Sequence, residues 1–456
     1  MARMNTLLKS GEPLTHEGAR ASVISPELQL RRSILACMLW EDQFYEEGVA
    51  IAGRVRELVA QVPAEKVAAL AVEAREKMKL RHAPLLLVRE MARLKTHRHL
   101  VSDTLARVIQ RADELAEFVA LYWSDGKQPL SAQVKKGLAA AFTRFDEYAL
   151  AKYNRATPVK LRDVLFLSHA RPVDQAQADL WKRLIDGELA TPDTWEVALS
   201  SGADKRTSWE RLLRENKLGA LALLRNLRNM TEVWVDPSLI AESLANMKTE
   251  RVLPFRFIAA ARHNPCFEQE LEAAMLKCLS EQPRLPGKTI LVVDVSGSMT
   301  GSLSSRSELS RMDSAAALAI LAREMCEKAA IYCTAGNDCT RVHATRLVPS
   351  RRGFALRDCV VKDAAAELGG GGIFLVQSLA FIKQRERTAD RIIVFTDEQD
   401  CDQKLNPANA DAFGTHNYLV NIAAYRNGIG YEKFVHIDGF SEAVLDYIRE
   451  SEREIS

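Results

Sequence analysis

Residues 290–299 read Ile-Leu-Val-Val-Asp-Val-Ser-Gly-Ser-Met, and residues 391–398 read Arg-Ile-Ile-Val-Phe-Thr-Asp-Glu. Each is an apolar strand that stops on a carboxylate, Asp294 in the first and Asp397 in the second. In an open parallel sheet, ligands collect in the crevice beyond the strand C-termini, so the two tips are expected to face one site. After Asp294 come Ser296 and Ser298 at alternate positions, with Gly297 between them to let the backbone turn. A carboxylate and two hydroxyls are hard oxygen donors, suited to Mg²⁺ and not to a soft metal.

Working outward, short apolar strands recur after residue 288: KTILVVD, AAIYCTA, RIIVFTD, YLVNIAA and KFVHID. Helical stretches alternate with them, SAAALAILAREMCEK, FALRDCVVKDAAAEL, FLVQSLAFIKQR and EAVLDYIRE. That alternation predicts an α/β domain with a mostly parallel open sheet and helices on both faces. The polar run TGSLSSRSELSRM, 300–312, is inserted between the Asp-x-Ser-x-Ser loop and its helix. Before residue 280 the apolar spacing is helical almost throughout, in the manner of an α-solenoid whose helix pairs bury their faces against neighbours. No clean fixed-period repeat is visible. EQPRLPGK, 281–288, with two prolines and a glycine, reads as the connection. The sequence thus predicts an irregular segment over 1–25, an all-α helical-repeat domain over 26–285 and an α/β domain over 286–456.

The chain has 456 residues, a net charge of +2, 47% hydrophobic and 27% charged residues, so it can bury more than one core. The cation surplus lies in the first 287 residues, and the remainder is mildly acidic. Two stretches are rich in cations. Residues 75–111 include Arg75, Arg81, Arg89, Arg93, Arg107 and Arg111. Residues 127–162 include Lys127, Lys135, Lys136, Arg144, Lys152, Arg155, Lys160 and Arg162. Any one lysine is most simply a solvated helix face. Tyr153-Asn154-Arg155 and Ser168-His169 add stacking and hydrogen-bonding groups of the kind that RNA readers use. The eight cysteines form no C-x-x-C pair, which fits a reduced cytoplasmic setting. No signal peptide and no apolar run long enough to span a bilayer are evident.

An active site is not expected. His97-Arg98-His99 reads as surface in a basic stretch. The run Gly369–Gly372 lacks the Lys-Ser/Thr pair of a phosphate loop. Asp397, Glu398 and Asp400 would need further ligands and a pocket to support metal hydrolysis.

The Asp294, Ser296, Ser298 and Asp397 pattern resembles the metal-ion-dependent adhesion site of von Willebrand factor A domains. The resemblance implies that Ser296 and Ser298 bind a divalent cation directly, and that Asp294 and Asp397 bind it through water. It also places Ile373, after the glycine run, where the family has a threonine. Isoleucine offers no oxygen, so Mg²⁺ is expected to bind weakly. Sites of that family complete the metal shell with a partner's carboxylate and so serve docking.

The helical half carries a second resemblance. KYNRATPVKLRDVLFLSHARP (152–172), WERLLRENKLGALALLRNLRNMTE (209–232) and RVLPFRFIAAAR (251–262) resemble, in order, segments of the TROVE module of the Ro autoantigen family. This implies a HEAT-like helical ring followed by the von Willebrand factor A-like domain. It further implies binding of Y RNA and of single-stranded noncoding RNA ends, in RNA quality control and as a non-catalytic monomer. An exoribonuclease is the implied protein partner. By motif, Lys152, Asn154, Arg155, Lys160, Arg162 and His169 are the candidate RNA contacts, joined by Lys135 and Lys136. The rival reading is a metal-dependent protein-interaction module, chaperone-associated, with a peptide-binding solenoid.

Overall fold

In a computed structural model, the described residues are 25–35, 48–78, 80–200, 202–249, 252, 254–280, 284–302, 309–364, 368, 371–402, 416–423, 434–438, 444–445, 448–449 and 452. The segment read as irregular over 1–25 lies outside them except for Ser25, as do residues 303–308 of the polar insert and most of EAVLDYIRE. The chain forms two compact units. One comprises Ala50–Lys217 with the helix Pro26–Leu35, and the other begins at Leu218.

The first unit is helical. Its helices start where short polar side chains can cap free backbone N–H groups: Ser131, Asp146, Asp174 and Asp204 accept from Val134, Ala149, Gln177 and Thr207. Ala64–Glu76 packs on His82–Arg93, and Val101–Val108 on Ala132–Phe142. The second pair approaches closely because position 137 is glycine; a Cβ there would lie 2.8 Å from the Ser102 carbonyl oxygen. Buried Arg75 is tied to fully buried Glu114 at 2.7 Å and donates to the Val108 carbonyl.

The second unit contains a six-stranded sheet. Its strands are β1 (Leu285–Asp294), β2 (Cys326–Asn337), β3 (Val342–Leu347), β4 (Arg391–Thr396), β5 (His416–Asn421) and β6 (Val435–Asp438), ordered β3-β2-β1-β4-β5-β6. All neighbouring pairs are parallel except β2 with β3. The antiparallel edge strand β3 was not legible as a strand. Its half-exposed Val342 and Leu347 sit at the rim, so the continuous apolar signature of a buried strand is missing. Every residue of β4 is buried, as a strand covered on both faces must be.

The helix Arg311–Met325 is buried on nearly every side. It packs on β1, β2 and β4 and also on the helices Pro254–His263, Glu268–Ser280 and Gly353–Asp358. Arg262 Nη2 lies 2.6 Å from Asp313 Oδ1, and Glu272 Oε1 accepts from the Phe354 N–H at 2.7 Å. The boundary expected at 285/286 therefore falls differently in space. The helices of 220–280 belong to the same unit as the sheet and reach it through the helix Arg311–Met325, and the division lies between Lys217 and Leu218.

Candidate nucleic-acid interface and metal centre

The cation-rich stretch 75–111 is not a free basic surface. Most of its arginines meet carboxylates, several of them from distant positions in sequence. Arg81 pairs with Asp113 and Glu117, Arg89 with Glu90 and Asp125, Arg93 with Asp125, Arg107 with Glu76, and Arg111 with Asp113. Linear charge density missed this because folding supplies the acids. His97 is a second correction. It is buried, with Nε2 3.0 Å from the Val62 carbonyl oxygen, whereas Arg98 and His99 are exposed as expected.

The stretch 127–162 behaves differently. Arg144 spends its guanidinium on the Ala106 and Ile109 carbonyls, a helix-joining role. Lys136 is exposed and has no carboxylate partner among the described residues. Lys152 Nζ lies 5.7 Å from the Tyr148 and Tyr153 ring centroids, and the guanidinium carbons of Arg155 and Arg111 lie 6.0 and 4.8 Å from the Tyr153 centroid. Asn154 and Arg155 are exposed beyond the helix Glu147–Tyr153. Lys160 and Arg162 sit at the start of the helix Leu161–Ser168, where Asp163 accepts from the Lys160 backbone N–H; Arg162 lies 4.0 Å from the same aspartate. His169 ends that helix at φ 54°, and its Nε2 is 3.3 Å from Lys135 Nζ.

Lys135 and His169 thus meet at one end of the helix Leu161–Ser168, about 12 Å long, and Lys160 and Arg162 stand at the other, while Lys152 and Arg155 gather around Tyr153. Ser168 belongs to none of these groups. It is buried and donates to the Leu165 carbonyl. Sequence reasoning missed Tyr148, 50% exposed beside Lys152, and Phe166, 59% exposed on the helix Leu161–Ser168. An aromatic ring left in water next to lysine is the signal that would have found them.

In the second unit the sheet reverses its winding between β1 and β4, and Asp294 and Asp397 end these neighbouring strands. Both aspartates are fully buried. Asp294 Oδ1 accepts from the Ser296 N–H at 2.8 Å and Oδ2 from the Thr396 hydroxyl at 2.6 Å. The Ser296 and Ser298 hydroxyls are 3.2 Å apart, with Ser298 half-buried toward solvent. Burial, and then the charge of Asp397, push the Asp294 carboxyl above the usual carboxylate range.

Gly371 brings the glycine loop against this site, its carbonyl accepting from Gly297 N–H at 3.2 Å. A Cβ at 371 would lie 2.2 Å from the Gly336 carbonyl oxygen, so only glycine fits. Ile373 is fully buried in an apolar cluster with Ile290, Val292, Ile392 and Val394 and presents no oxygen. Among the described residues no group of three or more His, Cys or acidic side chains is placed to hold a metal. The oxygens of Asp294, Ser296 and Ser298 lie together, Asp397 ends the neighbouring strand close enough for its charge to act on Asp294, and as hard donors they fit a divalent cation of the Mg²⁺ type.

Fold and site together define a helical-repeat protein joined to an open-sheet α/β domain with an Asp-x-Ser-x-Ser loop at the switch point. Residues 172–329 match the family model described as the TROVE domain. The crystal structure of the Deinococcus radiodurans Ro (RSR) protein superposes with a TM-score of 0.62 and 19% identity, covering 93% of this chain and 98% of that one. The chain thus has the fold of that Ro protein, and residues 172–329 are similar to the TROVE domain. Telomerase protein component 1 of Mus musculus is 35% identical over 79 residues, and that of Rattus norvegicus 34% over 79 residues. Each of those matches covers 16% of this chain and only 3% of the relative. Among the described residues no helix is long and apolar enough to cross a membrane.

Proposed function

We propose that this protein is a non-catalytic, cytoplasmic, monomeric scaffold of the Ro type. In this reading it binds Y RNA and single-stranded ends of noncoding RNA in quality control or decay, with an exoribonuclease as partner. One observation carries the reading. Most arginines of 75–111 meet carboxylates within the fold, whereas Lys136, Lys152, Arg155 and Lys160 have no carboxylate partner among the described residues, and Lys152 and Arg155 lie near tyrosine rings, Tyr148 among them exposed. Charge left unneutralised next to stacking faces suits phosphates and unpaired bases together.

The Asp-x-Ser-x-Ser site would hold Mg²⁺ through Ser296 and Ser298, with Asp294 and Asp397 acting through water. Bound there, the cation would supply an open coordination position for a partner's carboxylate. Fully buried Ile373 adds no ligand, which argues for weak binding.

The test is a gel shift with a structured small RNA. If about four phosphates are neutralised, affinity should fall about 100-fold between 50 and 200 mM salt. Lys152→Ala with Arg155→Ala should flatten the salt slope by about two. Absence of RNA binding at low salt would reject the reading and favour the protein-interaction module.

A further inference from the structure

The half-exposed carboxylate of Asp125 is shared by more cations than it can serve. Its Oδ2 lies 3.3, 2.9 and 2.8 Å from guanidinium nitrogens of Arg56, Arg89 and Arg93. Arg56 comes from the helix Gly48–Val59, and Arg89 and Arg93 from the helix His82–Arg93. One carboxylate oxygen offers about two lone pairs, so three guanidinium groups crowd a single acceptor. The other oxygen, Oδ1, accepts from the Ser124 hydroxyl at 3.3 Å. Hydrogen bonding to Arg93 holds the Asp125 carboxyl below the usual carboxylate range, so it is charged at neutral pH.

Glu90 joins the same three arginines. It is buried, pairs with Arg89, and lies 3.6 and 3.8 Å from Arg56 and Arg93. Within this group two carboxylates face three guanidinium groups, which leaves one positive charge over. Arg89 is the least satisfied of the three. It is 2% exposed, and its Nε is buried without a hydrogen-bond partner among the described residues. Its Nη2 donates to the Ser124 hydroxyl at 2.7 Å, so the donor edge made by Nε and Nη2 is only half used.

A tetrahedral dianion meets each deficit. Phosphate has a separate oxygen for each guanidinium group and accepts from forked donors in pairs. Its second charge removes the surplus that a monovalent aspartate leaves. Gly126 follows Asp125 at φ 115°, in the region that favours glycine, with open space around it. Residues 124–129 are all exposed, so the aspartate sits on a turn with room to swing outward.

We propose that Arg56, Arg89 and Arg93 form a binding site for a small dianion of the phosphate class, and that Asp125 is a tethered stand-in which the dianion displaces. The shared chemistry is a dianionic phosphate, carried by the free ion or by a small monoester. This site stands apart from the RNA reading and does not rest on it.

The experiment is calorimetric titration of the full-length protein with inorganic phosphate and with phenyl phosphate, at constant ionic strength so that screening is equal throughout. The wild type is compared with Arg56→Ala/Arg93→Ala, which spares buried Arg89, and with Asp125→Asn, which removes the competing charge and keeps the shape. Inorganic phosphate should bind the wild type, and bind Asp125→Asn about tenfold tighter because the site is no longer self-occupied. Affinity should fall about tenfold or more in the arginine variant. Melting temperatures in phosphate should rise in the same order, most in Asp125→Asn and least in the arginine variant. Phosphate salts favour compact states in general, so equal rises in all three proteins overturn the site. Equal or weaker phosphate binding by Asp125→Asn overturns the role of the aspartate, and that variant alone decides it if the double variant does not fold. Tighter binding of phenyl phosphate assigns the monoester, and tighter binding of inorganic phosphate assigns the free ion. A wild type that binds neither, with single-stranded RNA affinity lost in the arginine variant, would give these arginines to nucleic acid and overturn the proposal.

Discussion

Arg311 Nη1 stands 3.6 Å from Asp397 Oδ2, and both side chains are buried. The fold therefore places a cation of its own beside one of the carboxylates expected to hold Mg²⁺. Removing it should leave Asp397 buried with less compensation. In chelator, Arg311→Met is expected to cost about 3–5 kcal/mol of stability. Added Mg²⁺ should raise the melting temperature of the variant more than that of the wild type, because the cation no longer competes with the guanidinium. Equal Mg²⁺ shifts in the two proteins would remove the case for competition.

Gly371→Ala tests the glycine loop. Its Cβ would press on the Gly336 carbonyl oxygen, a backbone atom that cannot rotate away. A loss of about 1–3 kcal/mol is expected for this overpacking. Weaker Mg²⁺ binding by calorimetry should accompany it, since the Gly297 N–H contact is displaced. Unchanged Mg²⁺ affinity in a folded variant would mean that the loop does not shape the site.

Asp400 makes stability depend on pH. Burial pushes its carboxyl up to about 7 from an ordinary value of 3.8, while its Oδ1 accepts from the Leu375 N–H at 3.0 Å. A raised folded pKa means that the folded state holds the proton longer. This contribution is therefore full below about pH 4 and is lost as pH rises through 7. Asp400→Asn keeps an acceptor for Leu375 and avoids the charge. It should stabilise the protein by a few kcal/mol, about 2–4, at pH 8 and by much less at pH 5. Denaturation curves in chelator that show the same gap at both pH values would contradict this.

Glu452 compensates a buried arginine of β4. Both its oxygens lie 2.7 Å from Arg391, a 2%-exposed arginine at the start of β4 that also donates to Thr289 and the Pro286 carbonyl. Glu452→Ala leaves that guanidinium buried with its main partner gone, at a cost of about 3–5 kcal/mol. For a unit of this size the melting temperature should drop by about 10 °C. A midpoint within about 2 °C of the wild type would show that Thr289 and the carbonyl suffice.

What could be read from the sequence follows from range. The strands β1, β2, β4, β5 and β6 and the convergence of Asp294 with Asp397 were legible because uninterrupted apolar runs ending in a carboxylate are a local signal with one structural meaning. The neutralisation of Arg75, Arg81, Arg93 and Arg107 was not legible. Their partners stand 31 to 39 residues away, and no local pattern announces them. Arg311 was hidden for a similar reason, since only the packing of its helix on the sheet brings it to Asp397. The cluster around Asp125 draws Arg56, Arg89 and Arg93 from two helices and needs both to exist at all.

The Ala-rich helix Arg311–Met325 owes its burial as much to residues 254–280 as to the strands. A fragment cut at 286 would strip one wall from it and leave a greasy, charge-poor face in water, with Asp313 deprived of Arg262. Such a fragment is expected to aggregate, whereas one beginning at Leu218 should melt cooperatively. The module that can be transplanted between proteins thus begins some seventy residues before the first strand.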